Sequence, residues 1–174
     1  MSDTYARLIA LLDGHGAAYR LIDHPPEGQT DKASTLRGHP VAAAAKCIIL
    51  IVKLGKKTTR FILAVVPGNV RVDTAKVRAL FGATYVGFAA TDIAERLAGS
   101  VAGTVLPFAL HPDLALVVDP SLQDHSEIFF NAARLDQSIA LRTADYLAMA
   151  KPRLELIATA ADPLTPAGSH AAHR

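Results

Sequence analysis

Between Lys46 and Lys53 the chain carries six consecutive uncharged residues, Cys47-Ile48-Ile49-Leu50-Ile51-Val52. The run is far too short to span a bilayer. It is also too continuous to leave one face in water, so it specifies a strand buried on both sides. Any fold this chain adopts must therefore place structure above and below that strand. Lys46 is expected at the first position of the strand, where it emerges from a loop. A cation rooted at the mouth of a rigid strand is held still, as a chemical site requires. Taken alone, the better reading of Lys46 is simply the wet end of the strand, with its stem lying on apolar surface.

Composition decides how much structure is available to do the covering. In 174 residues, 51% are apolar and 20% charged, enough for one domain with a sizeable core. The formal charge of +2 excludes a strongly basic nucleic-acid coat but leaves room for a local basic face. A single cysteine excludes an internal disulfide and a cysteine-based zinc cluster. No apolar run reaches membrane-spanning length, and the N-terminus has no signal-peptide layout. The expectation is a soluble cytoplasmic protein with no membrane partner.

Tyr5, Leu8, Ile9 and Leu12 recur at helical spacing ahead of Gly14 and Gly16, which predicts an opening amphipathic helix. A short strand is expected over Ala18 to Ile22, after which His24-Pro25-Pro26-Glu27-Gly28 interrupts regular structure. Thr30 to Leu36 reads as a short helix with Thr30 as its cap. The central strand and a second run from Arg60 to Val66 flank Leu54-Gly55-Lys56-Lys57, which is a hairpin signature. Asp73 is expected to cap a helix whose inner face is Val77, Leu80 and Phe81. After a strand around Thr84 to Val86, Thr91 starts a helix that ends at Gly99. Gly103 to Phe108 is a loop. Leu114 to Val118, Ile128 to Asn131 and Ser138 to Leu141 read as strands, and Thr143 as the cap of a helix through Leu147. A helical piece is expected over Leu154 to Ala160. With no repeat and no internal linker, the expectation is one α/β domain over 1–160 and a frayed tail over 161–174.

Several familiar chemistries are missing. Gly14-His15-Gly16 starts a dinucleotide fingerprint that Tyr19 breaks, and Gly55-Lys56 lacks the first glycine and the hydroxyl residue of a phosphate loop. No Gly-x-Ser-x-Gly elbow and no His-Glu-x-x-His helix occur. The histidines do not fall at ligand spacing, so neither a metal nor a cofactor is expected. Cys47, one residue into the buried strand, reads as an inert core thiol.

Three features in a fixed order resemble the YbaK/EbsC family of aminoacyl-tRNA deacylases, freestanding relatives of the editing domain inserted in bacterial prolyl-tRNA synthetases. They are Lys46 opening an apolar strand, the Gly103-x-x-x-Pro107 loop, and Ile128-Phe129-Phe130-Asn131 followed by Ser138-Ile139-Ala140-Leu141. The helix after Val72-Asp73 completes the set, and the resemblance runs from His24 to Leu147. It implies a mixed α/β fold around a curved, barrel-like sheet with helices packed outside. It implies hydrolysis of the ester that joins a wrong amino acid to tRNA, with the tRNA for proline as the expected carrier and a synthetase as a further partner. The catalytic group it implies is Lys46 with Gly103, Thr104 and Val105. The substrate-binding group is Leu106, Pro107, Phe108, Asn131, Ser138, Thr30 and His24. The chain departs from the family in carrying Ala109, and Ala132 and Ala133, where glycines are favoured, and Ser138 where some members have aspartate. Added methyl groups narrow a pocket that sorts by size, which bears on substrate more than on reaction class.

An aminoacyl ester is already activated, so such an enzyme needs no covalent nucleophile. It must place water, or a substrate hydroxyl, beside the carbonyl and stabilise the oxyanion that develops. Pro107 has no N–H, so main-chain donors come from Thr104, Val105 or Leu106. Lys46 either polarises the carbonyl or grips a phosphate of the terminal nucleotide as a point charge; both roles stay open. Spacing alone favours an ordinary turn at Gly103 to Pro107, and only the resemblance reverses that. Asn131 reads equally as a group satisfying neighbouring backbone, Thr30 and Asp73 as caps, His24 and His111 as surface loop residues. Lys32, Arg37, Lys53, Lys56, Lys57, Arg60, Arg71, Lys76 and Arg78 supply cations for a phosphate backbone, although a solvated surface explains many of them as well. Two rival functions are a tRNA- or synthetase-binding module whose pocket Ala109, Ala132 and Ala133 fill, and a hydrolase of another small activated ester, indifferent to RNA.

Overall fold

The computed structural model describes residues 3–160. The apolar run becomes β2 (Ala45–Leu54), which forms a hairpin with β3 (Thr58–Pro67) and sets Lys46 opposite Val66. Its side chains alternate between two cores. Ile49 joins Leu63 and Val65 on one side, while Leu50 and Val52 join Ile62, Ala64 and Val66 on the other. The strand is thus covered on both faces. Ala45 opens it, and Lys46 is its second residue.

The other strands build outward from this hairpin. β4 (Tyr85–Phe88) lies antiparallel to β2, β5 (Leu114–Val118) parallel to β3, and β8 (Arg153–Leu154) parallel to β5. A second, antiparallel sheet has the order β1-β7-β6, from β1 (Tyr19–Asp23), β7 (Gln137–Arg142) and β6 (Glu127–Asn131). The fold is the expected mixed α/β type, but the sheet is not closed into a barrel. Two open sheets meet where Ala44 bridges Phe129, which brings the entry to β2 against β6. From α1 (Asp3–Gly14), Leu8 and Leu12 pack with Phe108, Phe130 and Tyr146 in the first core. From α3 (Thr74–Phe81), Val77 packs in the second.

Helix starts follow the sequence in two cases and depart from it in two. Asp73 caps α3, accepting from the amides of Ala75 at 3.0 Å and Lys76 at 3.3 Å. Thr91 opens α4 (Thr91–Ala98) as expected, whereas Thr30 and Thr143 are the first helical residues of α2 (Thr30–Arg37) and α5 (Thr143–Ala150) instead of their caps. Gln29, Ala90 and Arg142 precede them without a side-chain cap bond. Thr143 is drawn off by tertiary structure, since its hydroxyl donates to the carbonyl of His125 at 2.6 Å.

The helix expected over Leu154 to Ala160 does not form. Its amides are taken by other partners: Glu155 donates to Val118 O, while Ile157 and Ala158 donate to the Asp119 carboxylate at 3.0 and 2.9 Å. So short a helix has little intrinsic stability to set against those bonds and the full burial of Ile157. The tail expected over 161–174 lies outside the described residues.

Candidate active site

The junction of the two sheets leaves a cavity of about 250 Å³. Its walls are the start of β2, β6, α2 and the loops at Gly28 and Gly103. Ala33, Ala44, Ala45, Phe129 and Phe130 give its lining apolar surface, and Thr30, Arg37, Lys46 and Asn131 give it polar groups. No aspartate, glutamate or histidine is among the described residues that line it.

Lys46 is half-buried and donates to the carbonyl of Gly68 at 3.4 Å. Burial first, then the positive charge of Arg71, hold its pKa below the ordinary lysine value, with Asp31 acting the other way. No carboxylate reaches it within ion-pair distance among the described residues. Cys47 also lines the cavity, so it is more than a core residue. Burial pushes its thiol pKa up, which keeps it protonated and unsuited to attack.

Asn131 fastens two loops to the second sheet. Its amide nitrogen donates to Glu27 O at 2.8 Å and Gly103 O at 2.9 Å, and its oxygen accepts from Arg37 at 3.1 Å and from Ser138 at 2.9 Å. Two carbonyls on one side and two donors on the other fix the orientation of the amide. The loops touch through main chain. Gly103 sits at φ +86, and a Cβ there would lie 2.8 Å from Gly28 Cα. The glycine is required by conformation and by space together.

The implied site residues are only partly gathered here. Lys46, Gly103, Val105, Asn131 and Thr30 line the cavity. Thr104 is fully buried, with both its amide and its hydroxyl on Val101 O. Its amide is therefore spent, whereas no hydrogen bond among the described residues uses the amides of Gly103 and Val105. Leu106, Pro107 and Phe108 lie in the core instead of on the cavity wall. Phe108 meets Phe130 and Tyr146 edge to face, and the Tyr146 hydroxyl donates to Pro107 O at 2.7 Å. Ser138 is fully buried behind Asn131, and His24 approaches it from the far side, Nε2 to Oγ at 2.6 Å.

Arg37 is a cavity residue that sequence reasoning placed on the surface. Its Nε donates to Ser138 Oγ at 2.8 Å and its Nη1 lies 3.4 Å from His39 Nε2. Burial lowers its pKa to about 10. An arginine in the last turn of a short helix, just before a glycine, reads as a dipole partner, so no local signal pointed inward. The other eight cations expected to face RNA are exposed. Ala109, Ala132 and Ala133, the departures from the family pattern, do not line the cavity.

Known proteins resemble this chain over most of its length. A family model described as an aminoacyl-tRNA editing domain matches residues 24–149. A curated protein of Escherichia coli K12, the multifunctional Ser/Thr-tRNA deacylase ProXp-y, is 37% identical over 154 residues, covering 88% of this chain and 92% of its own. Among solved structures, a hypothetical protein superposes with a TM-score of 0.79 at 20% identity, over 88% of this chain and 99% of that one. A candidate trans-editing enzyme for prolyl-tRNA synthetase superposes with a TM-score of 0.75 at 20% identity, over 92% and 99%. At those identities the structures speak to the fold.

Proposed function

The chain belongs to the aminoacyl-tRNA editing domain family, and from that premise we propose that it hydrolyses the ester of misacylated tRNA, releasing free amino acid and tRNA. The observation that carries this reading is a small cavity where Lys46 meets the loop of Gly103 and Val105, with no acid, histidine or thiolate in its lining. Such a lining suits an already activated ester, because it offers electrophilic assistance and no nucleophile of its own.

In this mechanism the ester carbonyl lies between the Lys46 ammonium and the amides of Gly103 and Val105. Water attacks it and gives up a proton, which the hydroxyl neighbouring the ester on the terminal ribose is placed to receive. Negative charge gathers on the carbonyl oxygen, and fixed donors stabilise it more strongly than they stabilise the neutral ester. The ribose oxygen then leaves and takes up a proton. The strand seats Lys46, and Asn131 seats the loop, so both are oriented before substrate arrives.

Serine and threonine are the amino acids we assign, supported by the name of the E. coli relative and by the polar side chains of Thr30, Arg37 and Asn131 in the cavity lining. The tRNA for proline is the carrier we assign, supported by the likeness of the fold to a candidate trans-editing enzyme for prolyl-tRNA synthetase. Incubating the pure protein with seryl-, threonyl-, alanyl- and cysteinyl-tRNA, each on the tRNA for proline and on a second tRNA, tests both assignments. The expected result is fastest cleavage of seryl and threonyl esters, with Lys46→Ala slower by roughly 100-fold or more. If no ester is cleaved faster than in buffer, or if Lys46→Ala retains full activity, the proposal falls. Equal rates with and without excess uncharged tRNA would mark a hydrolase indifferent to RNA.

A further inference from the structure

The Arg37 guanidinium is held on three sides and open on the rest. Its Nε donates to Ser138, its Nη2 to Asn131, and its Nη1 faces His39 Nε2. His39 is itself fixed, stacked on Phe129 with ring centroids 3.7 Å apart. Its Nδ1 lies 2.7 Å from Pro40 O, so that nitrogen carries the hydrogen and Nε2 presents a lone pair to Arg37. Burial first, and among further causes the charge of Arg37, keep this imidazole neutral by lowering its pKa to about 4. Three of the five guanidinium N–H groups are thereby spent and two are left. No carboxylate pairs with Arg37 among the described residues. A buried arginine kept only for stability is normally paired with an acid, whereas this one is oriented by neutral groups and keeps donors in hand beside a cavity.

An aminoacyl group offers that arginine three polar parts. The α-ammonium is repelled by it, and the ester carbonyl belongs with Lys46 and the Gly103 loop. What remains is the amino-acid side chain, and a hydroxyl oxygen there can accept from a guanidinium. The neighbouring walls, Ala33, Ala45 and Phe129, would by themselves favour a methyl group. We propose that Arg37 is the specificity-determining residue of this site, donating its remaining N–H groups to the side-chain hydroxyl of a seryl or threonyl group and so selecting it over an alanyl group. The inference rests on the reading of the chain as a seryl- and threonyl-ester hydrolase.

The test compares kcat/KM of the wild type, Arg37→Met and Arg37→Lys on seryl-, threonyl- and alanyl-tRNA. The wild type should prefer seryl over alanyl by roughly 10- to 150-fold, the range carried by a hydrogen bond from a charged donor. Arg37→Met should lose that factor on the seryl and threonyl esters and stay within about threefold on the alanyl ester. Arg37→Lys keeps the charge without the planar fork and should recover only part of the preference. Equal losses on all three esters overturn the inference, because they mark a carbonyl-directed or structural role. An unchanged seryl-to-alanyl ratio overturns it as well. Should Arg37→Met not fold by circular dichroism, the wild type on threonyl- against 2-aminobutyryl-tRNA decides, and similar rates there refute it. A wild type that cleaves none of the esters removes the functional reading itself. One that cleaves seryl and threonyl esters, with a variant of undiminished preference, removes only the role of Arg37.

Discussion

Replacing Asn131 probes whether the two loops at the cavity are held by one amide. Asn131→Ala deletes four hydrogen bonds, those to Glu27 O, Gly103 O, Arg37 and Ser138. The two carbonyls belong to loops whose neighbouring residues Gly28 and Gly103 are exposed, so water can replace part of what they lose. Arg37 and Ser138 keep each other. Counting the residual cost as that of one or two buried groups left short gives about 3 kcal/mol. In a chain of this size that lowers the melting temperature by about 6–12 °C. Asn131→Asp separates the brace from the fold. It keeps an acceptor toward Arg37 but sets an oxygen against carbonyls at 2.8 and 2.9 Å. The new charge beside Arg37 offsets part of that repulsion, so the stability cost is smaller, about 1–2 kcal/mol, while the loops are pushed off Asn131. Urea unfolding reads the stability and steady-state deacylation reads the loop position. Asn131→Ala is expected to lose both, and Asn131→Asp to lose activity well beyond its loss of stability. Full activity in Asn131→Asp refutes the brace, and a cost below about 1 kcal/mol in Asn131→Ala refutes the energetic reasoning.

Three further outcomes follow from other parts of the fold. Ala133 has φ 60, a left-handed conformation that costs a side-chain-bearing residue, so Ala133→Gly should stabilise the protein by up to about 1 kcal/mol in urea unfolding despite the added freedom of the unfolded chain. A loss of stability would show that the conformation carries no strain. Asp119 is buried against solvent but accepts from Ser121 N and Oγ, Ile157 N and Ala158 N. Desolvation raises its pKa and those bonds outweigh it, so the folded value lies below the ordinary carboxylate. Its stability is therefore present above pH 4 and lost as pH falls through the folded pKa. Asp119→Ala should cost about 2–3 kcal/mol at neutral pH and flatten that acid limb, and an unchanged limb counts against it. His39 acts in a different window. Its folded pKa of about 4 against 6.5 unfolded means the unfolded chain takes up a proton that the folded ring refuses. Stability should thus fall between pH 6.5 and 4 by at most about 3 kcal/mol from this group. His39→Phe should reduce that slope in pH-dependent unfolding, and a slope identical to wild type contradicts the assignment.

Residue order alone determined a good deal about this protein. Six apolar residues in a row could only be a strand enclosed on both sides, the Gly-containing turn after it could only make a hairpin, and Asp73 before a helical pattern could only cap it. Those are local matters, decided by side-chain period and by groups a few residues apart. The order of Lys46, the Gly103 loop and the Ile128–Asn131 strand was enough to indicate the editing-domain family. Tertiary structure alone decided the rest. Arg37, a helix-end cation by every local criterion, faces inward because Ser138, more than a hundred positions away, supplies the acceptor that holds it. The helix expected after Leu154 lost its amides to Asp119 and Val118. Pairing between distant polar groups, each needing a partner once buried, has no period along the chain. It was therefore settled only when the two sheets met at Ala44 and Phe129.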